Sequence, residues 1–314
     1  MNKITFYMDE VENILNEKHQ PPICAEVDPS NYCNNNCSFC CFAKFLKSHR
    51  EHLPMYLYDK FLNGFCAVGG KAITFTGGGE PLMNPKFLTF AHKAHRRGIK
   101  LGLVTNGILL HNIRGSENLF RFIRVSLNAS NSDIYYTVHE TKFFDQVVRN
   151  IRYITNLKDR PDIGLSFVVC NHNRGYENET VALGEDLGVD YVQIKPDIYN
   201  DRNLSDVGGS SEGIKITCPL HSAKRFGKLP CAIAGLTFIL NATGDVFYCC
   251  VQRGNDDFKL GSIRNFDVSD FVQIREQFKP NLSKCTTCRY TAYAEHYERY
   301  KGSEYIFLRH KEFL

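Results

Sequence analysis

Asn31-Tyr-Cys-Asn-Asn-Asn-Cys-Ser-Phe-Cys40 is the stretch on which the reading of this chain turns. Cys33, Cys37 and Cys40 stand with three and then two residues between them, so one short loop can fold three thiolates around a single inorganic body. Four thiolates are the usual ligand set of an iron–sulfur cluster. Three evenly arrayed ones leave a fourth iron open for another ligand. Zinc is the competing occupant, and it asks for a further Cys or His nearby in tetrahedral array. Cys41 follows at once, while His49 and His52 lie further along the chain.

Outward from this loop, strand and helix patterns alternate. Residues 1–22 are a polar lead-in closed by Pro21-Pro22, where proline fixes the chain extended and removes donors. Residues 23–27 alternate as a strand does and run straight into the thiol loop. A site directly after a strand is what an α/β barrel offers, since its chemistry collects on the loops at the C-terminal strand ends. Residues 56–67 read as a helix stopped by Gly69-Gly70, and residues 71–76 as a second strand entering Gly77-Gly78-Gly79-Glu80-Pro81. Three glycines there let backbone groups approach a ligand with no Cβ in the way. A helix at 85–97 precedes a third strand that ends in Thr105-Asn106-Gly107. Residues 122–129 read as a fourth strand, with Ser126 and Asn128 two apart and so on one face. A helix at 143–157, a strand at 162–169, a helix at 177–187 and a strand at 191–196 complete the pattern. Strand–helix units of roughly 30 residues predict an α/β fold, a partial (β/α)6 TIM-like barrel rather than the full eight-unit one.

The C-x3-C-x2-C pattern with Phe39 before the last thiol resembles the signature of the radical S-adenosylmethionine (SAM) superfamily. The resemblance implies a 4Fe-4S cluster whose open iron chelates SAM. It also implies reductive cleavage to a 5′-deoxyadenosyl radical that abstracts a substrate hydrogen. By the same resemblance Gly77, Gly78, Gly79, Glu80 and Pro81 form the segment that binds the methionine amino group, and Thr105 and Asn106 border the cofactor. Ser126 and Asn128 are implied to approach the SAM carboxylate and ribose. Asn128 stands where many relatives carry Asp, and His139 near where many carry an arginine for that carboxylate.

Residues 201–213 break the repeat: they are polar and hold Gly208-Gly209-Ser210-Ser211, the mark of a linker or lid. The division expected is therefore 1–22 lead-in, 23–200 barrel, and 201–314 linker plus a small C-terminal domain. In that last part, apolar runs flank a turn at 241–245 and predict a β-hairpin with Cys231 before it and Cys249 at its end. Cys285-Thr-Thr-Cys288 adds a closely spaced pair, making four thiolates, enough for a complete second 4Fe-4S cluster. Cys250 is an alternative to Cys249, and a zinc site is an alternative to the cluster. The order of these cysteines about Gly244 resembles the auxiliary-cluster region of twitch/SPASM radical SAM enzymes, in the shorter, one-cluster version. Cyclitol dehydrogenases share that layout. Cys24, Cys41, Cys66, Cys170 and Cys218 read as small buried thiols.

A net charge of +4 is too mild to argue for nucleic acid or an anionic membrane, and no apolar run approaches a membrane span. The N-terminus lacks a signal peptide's apolar centre, so a cytoplasmic protein is expected, and 13 cysteines in a reducing compartment read as metal ligands and buried thiols. About twenty residues precede the first strand, too few for an independent leader-binding fold. This favours a small molecule, a sugar or cyclitol to be oxidised or rearranged, over a peptide or protein. A low-potential flavodoxin or ferredoxin is the expected electron donor. A maturase acting on a peptide is the alternative, and a zinc protein binding nucleic acid ranks below both. No general base is named by the sequence; Tyr135, Tyr136, His172 and Lys195 qualify only by position near strand ends.

Overall fold

The structure, a computed structural model, describes residues 6–18, 20–197, 215–216, 228–281, 283, 285, 288 and 290–300. The segment 201–213 and Cys218 lie outside the described residues. In chain order the elements are α1 (Met8–Leu15), β1 (Cys24–Val27), α2 (Ala43–Ser48), α3 (Met55–Ala67), β2 (Ala72–Phe75), α4 (Phe87–Arg96) and β3 (Lys100–Thr105). There follow β4 (Phe120–Ser126), α5 (Ser132–His139), α6 (Phe144–Thr155), β5 (Asp162–Val169), α7 (Glu177–Asp186) and β6 (Tyr191–Pro196). Then come β7 (Lys215–Ile216), α8 (Leu229–Gly235), β8 (Thr237–Leu240), β9 (Asp245–Phe247), β10 (Lys259–Ser262), α9 (Phe271–Gln277) and α10 (Thr291–Tyr300).

All the strands join one ten-stranded sheet in the order β10-β9-β8-β1-β2-β3-β4-β5-β6-β7. From β8 to β7 every pairing is parallel, while β8–β9 and β9–β10 are antiparallel. Among the described residues the sheet does not close. Its α/β character and parallel run agree with the partial barrel expected from the strand–helix repeat. The predicted hairpin is β8–β9, and its first strand pairs in parallel with β1, Ala25 opposite Phe238. The C-terminal hairpin therefore extends the barrel sheet.

Alternation along the strands sorts the two faces. On β4 and β6, Ile123, Val125, Val192 and Ile194 are buried in the apolar core, while Arg124, Ser126, Gln193 and Lys195 between them are only half-buried. Side chains alternate in direction along a strand, so the helix-covered face is apolar and the opposite, inner face is polar. The core of the covered face is aromatic: Tyr58 of α3 stacks on Phe90 of α4 at 4.1 Å between centroids, and donates its hydroxyl to Phe90 O at 2.9 Å. A second apolar cluster under the hairpin gathers α1, α8 and α10 around Val11, Ile233, Ile239 and Ala294.

The fourth strand ends earlier than its sequence pattern predicts. Asn128 has φ +52°, the left-handed region, so the chain leaves the strand after Ser126. The sequence reading also missed α5. Asn131 caps it, its Oδ1 accepting from Asp133 N at 3.1 Å and Ile134 N at 3.0 Å. Among the described residues, no helix is long and apolar enough to cross a membrane.

Candidate active site

The thiol loop springs from the C-terminal end of β1 and is tied on both flanks. On one side Gly79 N donates to Ser30 O at 3.2 Å and Glu80 N to Tyr32 O at 2.8 Å. On the other, Asn36 N and Ser38 N donate to His139 O and Val138 O, the end of α5, at 3.1 and 2.9 Å. The three consecutive asparagines between the first thiols each anchor elsewhere. Asn34 Oδ1 accepts from Asn106 Nδ2 at 2.6 Å, Asn35 Oδ1 accepts from Thr141 Oγ1 at 2.8 Å, and Asn36 donates to Glu140. Sequence reasoning gave these asparagines no role. Three short amides in a row within a ligand loop were the available signal.

Glu80 is the knot of the site. It is buried, yet each oxygen has a partner. Oε1 accepts from Thr105 Oγ1 at 2.6 Å and Leu82 N at 3.1 Å, and Oε2 accepts from Asn106 N at 2.7 Å. One carboxylate thus fastens the glycine loop to the Thr-Asn-Gly end of β3. Burial raises Glu80 to about 6, against the pull of the Asn106 and Thr105 donors. Pro81 opens a short 3-10 turn that Glu80 caps. A Cβ on Gly79 would stand 2.3 Å from Tyr32 O, so only glycine lets the two loops lie this close.

The remaining sequence candidates divide. Ser126 closes β4 on the inner face, in register with Ser166 of β5, whose buried hydroxyl has no partner. Asn128 is spent inside the protein: its Oδ1 accepts from Val168 N at 2.8 Å. His139 is buried beneath the thiol loop. Its Nε2 donates to Leu127 O at 2.9 Å, which leaves Nδ1, 3.0 Å from Cys37 Sγ, as the acceptor. Burial lowers His139 to about 4, so the ring is neutral. Phe39 meets it edge-on at 6.3 Å. Of the positional base candidates, Tyr136 and His172 are exposed, Tyr135 is buried with its hydroxyl 3.4 Å from Asn35 Nδ2, and Lys195 is half-buried on the inner face.

Sequence reasoning missed a buried ionic cluster beside the thiol loop. Arg253 reaches from beyond the hairpin into β1, with Nη2 2.6 Å from Glu26 Oε2 and Nε 3.3 Å from Asp28 Oδ2. Gly78 N also donates to Asp28 Oδ2 at 3.0 Å, while Asp28 Oδ1, in a fully buried residue, has no partner. Burial lifts Asp28 to about 6 despite Arg253. Burial opposes the charge on Arg253 too, but Asp28 and Glu26 outweigh it and hold the guanidinium protonated.

Cys33, Cys37 and Cys40 all have raised thiol pKa values, chiefly from lost solvent, and Cys33 is pushed up to about 11. Cys40 bears electrostatically on Cys33, and Cys33 and Cys40 both bear on Cys37, as thiols brought together do. Metal binding would have to displace their protons. The second set is gathered as well. Cys231, Cys249, Cys285 and Cys288 line one cavity together with Tyr248 and Gln252. Cys250 does not line it; its Sγ lies 3.5 Å from Tyr290 Oη in the apolar cluster. Among the described residues no three His, Cys, Asp or Glu side chains form a ready site for one metal ion. A four-iron cluster makes no such demand, because each thiolate binds a different iron. By donor type, all-thiolate sets of this kind suit an iron–sulfur cluster. Cys24 and Cys170 are buried as expected, whereas Cys41 is exposed.

Residues 27–169 match the family model described as the radical SAM superfamily. A curated relative, the tungsten-containing aldehyde ferredoxin oxidoreductase cofactor-modifying protein of Pyrococcus furiosus, is 25% identical over 175 residues, or 52% of this chain. The chain spans about half the length of that relative, 48%. Streptococcus suis SuiB bound to precursor peptide SuiA superposes with a TM-score of 0.65 at 15% identity, covering 90% of this chain and 73% of the other. Native anSMEcpe with bound AdoMet and Kp18Cys peptide gives 0.58 at 14%, covering 88% and 96%. Such likenesses show a shared fold.

They also correct the expectation of a small-molecule partner, because these two solved structures hold peptides. The expectation rested on the few residues ahead of β1, and that number says nothing about what the inner face of the sheet can hold. The thiol loop, the glycine loop and strands β2 to β5 all lie inside the span, residues 27–169, that is similar to the radical SAM superfamily model.

Proposed function

We propose that the chain modifies a peptide or protein by radical SAM chemistry. In this reading Cys33, Cys37 and Cys40 hold the SAM-binding cluster, and Cys231, Cys249, Cys285 and Cys288 hold a second. The observation that carries it is the gathering of the sulfur donors into two constellations, one on the loop after β1 and one around a single cavity. The molecules captured with SuiB and anSMEcpe support the peptide. When bound, the first cluster and SAM supply a 5′-deoxyadenosyl radical that abstracts a substrate hydrogen.

The chain's own task is to place and shield. The backbone of Gly77, Gly78 and Gly79, held by Glu80 and Pro81, takes the amino end of SAM, and Thr105 and Asn106 wall the next side. Ser126 is the β4 residue left for the cofactor, since Asn128 and His139 already satisfy protein groups. Phe39 packs on His139 behind the loop. Glu26, Asp28 and Arg253 close the β1 side of the inner face and keep water from it. The domain division is proposed as 1–22, 23–200 and 201–314, the last joined to the barrel through the β8–β1 pairing.

The test is anaerobic reconstitution with iron and sulfide, then assay of dithionite-dependent 5′-deoxyadenosine, with co-expression of short peptides encoded beside the gene. About eight irons per chain and a mass change in one such peptide are expected. A chain that holds zinc and releases no 5′-deoxyadenosine would end the reading. A chain that cleaves SAM but changes the mass of no peptide would end its substrate half.

A further inference from the structure

Against the cavity of the second thiol set lies a cation to which the proposed reading assigns no task. Arg275 of α9 is half-buried. It donates from Nη2 to Cys231 O at 2.7 Å and from Nη1 to Tyr248 O. Its guanidinium carbon stands 3.8 Å from the centroid of the Tyr248 ring, and Tyr248 in turn lines the cavity and hydrogen-bonds the Cys231 side chain. On its other side the arginine presses on α8, where a Cβ on Gly235 would come 3.0 Å from Nε. A planar guanidinium ordered by stacking and by two carbonyls is a fixed charge, not a swinging one. That charge sits beside the thiols, because the two residues it is held by, Cys231 through its carbonyl and Tyr248 through its ring, both line the cavity.

A cluster bound by four thiolates carries net negative charge, and reduction adds one more. A fixed cation beside it favours the more negative, reduced form, and its weight grows where solvent is excluded. We propose that Arg275 is the charge-compensating residue of the second cluster and raises the potential at which that cluster accepts an electron. Tyr248 holds it in place. Arg275 acts from behind the ligands and is a positioning residue, not a catalytic one. The inference rests on the reading of Cys231, Cys249, Cys285 and Cys288 as cluster ligands.

The experiment separates the two. C33A/C37A/C40A leaves only the second thiol set, and the full chain is reconstituted anaerobically. About four irons per chain uphold the ligand reading, and their absence overturns it before Arg275 is addressed. R275Q, R275M and R275K are then made in that background, and the midpoint potential is read by an electron paramagnetic resonance titration. R275Q and R275M, which remove the charge, are expected to lower the midpoint at unchanged iron content. R275K, which keeps it, is expected to restore most of the shift. Two charge-removing variants are used because one of them can fail to load iron; whichever loads decides. Full iron with an unchanged midpoint in that variant overturns the role, and so does a lowered midpoint that R275K leaves unrestored.

Discussion

The two cysteine sites are built by different forces. Cys33, Cys37 and Cys40 sit on one loop, and the braces on that loop are polar: backbone bonds to the 79–80 turn and the end of α5, with Asn34, Asn35 and Asn36 each tied to a different neighbour. Cys231, Cys249, Cys285 and Cys288 come from three separated stretches, and what unites them is a cavity walled by Pro230, Ala234, Val251 and Phe258. Hydrogen bonds fix direction, and apolar packing fixes proximity. The first site is therefore shaped ahead of any ligand, on strand ends that the sheet already holds. The second depends on distant segments staying packed, so it should be the one that loses shape when a thiol is removed.

The largest effect expected is from C33A/C37A/C40A. Formation of 5′-deoxyadenosine should drop to the chemical background and iron should fall by about half, to one cluster of the Cys-ligated type. Retention of all the iron would mean that the loop binds none, and loss of all of it that the two sites are not independent. The mirror variant, C285A/C288A, should also lose about half the iron yet still cleave SAM without coupling it to product. Iron analysis and 5′-deoxyadenosine assay, run side by side, check both. If C285A/C288A ended SAM cleavage, the barrel would need the second site for its shape.

Glu80 tests the polar bracing itself. In E80A the buried Thr105 hydroxyl and the Asn106 and Leu82 N–H groups lose their acceptor. Hydrogen bonds to a charged group and the cost of orphaned donors together set the loss on the order of 4 kcal/mol. Urea midpoints of the metal-free chain measure it, and SAM affinity should fall with it because the glycine loop is no longer held to β3. A change within error in both would show that the Glu80 bonds add nothing net.

The outer architecture was legible because it is periodic. Residues 162–169 and 191–196 were placed as β5 and β6 by their apolar runs and alternation, and α3, α4 and α6 by the spacing of Phe61, Phe90 and Val147. The thiol pattern was legible because spacing alone decides which donors one loop can converge. What was missed is non-local or aperiodic. No local pattern tells that Asn128 takes a left-handed backbone and spends its amide on β5. Nor did His139 look buried, because α5 was not seen and the ring's partners, Leu127 and Cys37, lie on other segments. Glu26 and Asp28 did carry a signal. Two acids alternate with Ala25 and Val27 from β1 into the loop, as an inner polar face requires, but their partner Arg253 is more than two hundred residues away.

Arg253 is where the two regions meet, and pH is the finest probe of that contact. It enters from just beyond Cys249 and pairs with Glu26 and Asp28 at the foot of the thiol loop. Burial nevertheless leaves Asp28 at about 6, against the 3.8 ordinary for this side chain. In that window the folded chain keeps a proton that the unfolded chain has released. Stability must then fall as pH rises from about 4 to about 6, the sense opposite to an ordinary salt-bridged carboxylate, by on the order of 2–3 kcal/mol for this group alone. D28N cannot ionise, so its slope across the window should be shallower by that amount. It should not be flat, because Glu80 is also raised to about 6 and contributes in the same direction. Urea unfolding of the metal-free wild type and D28N at the two ends of the window measures the difference. Equal slopes would mean that Arg253 holds Asp28 ionised throughout, so that the arm from the second region dictates the charge at the first.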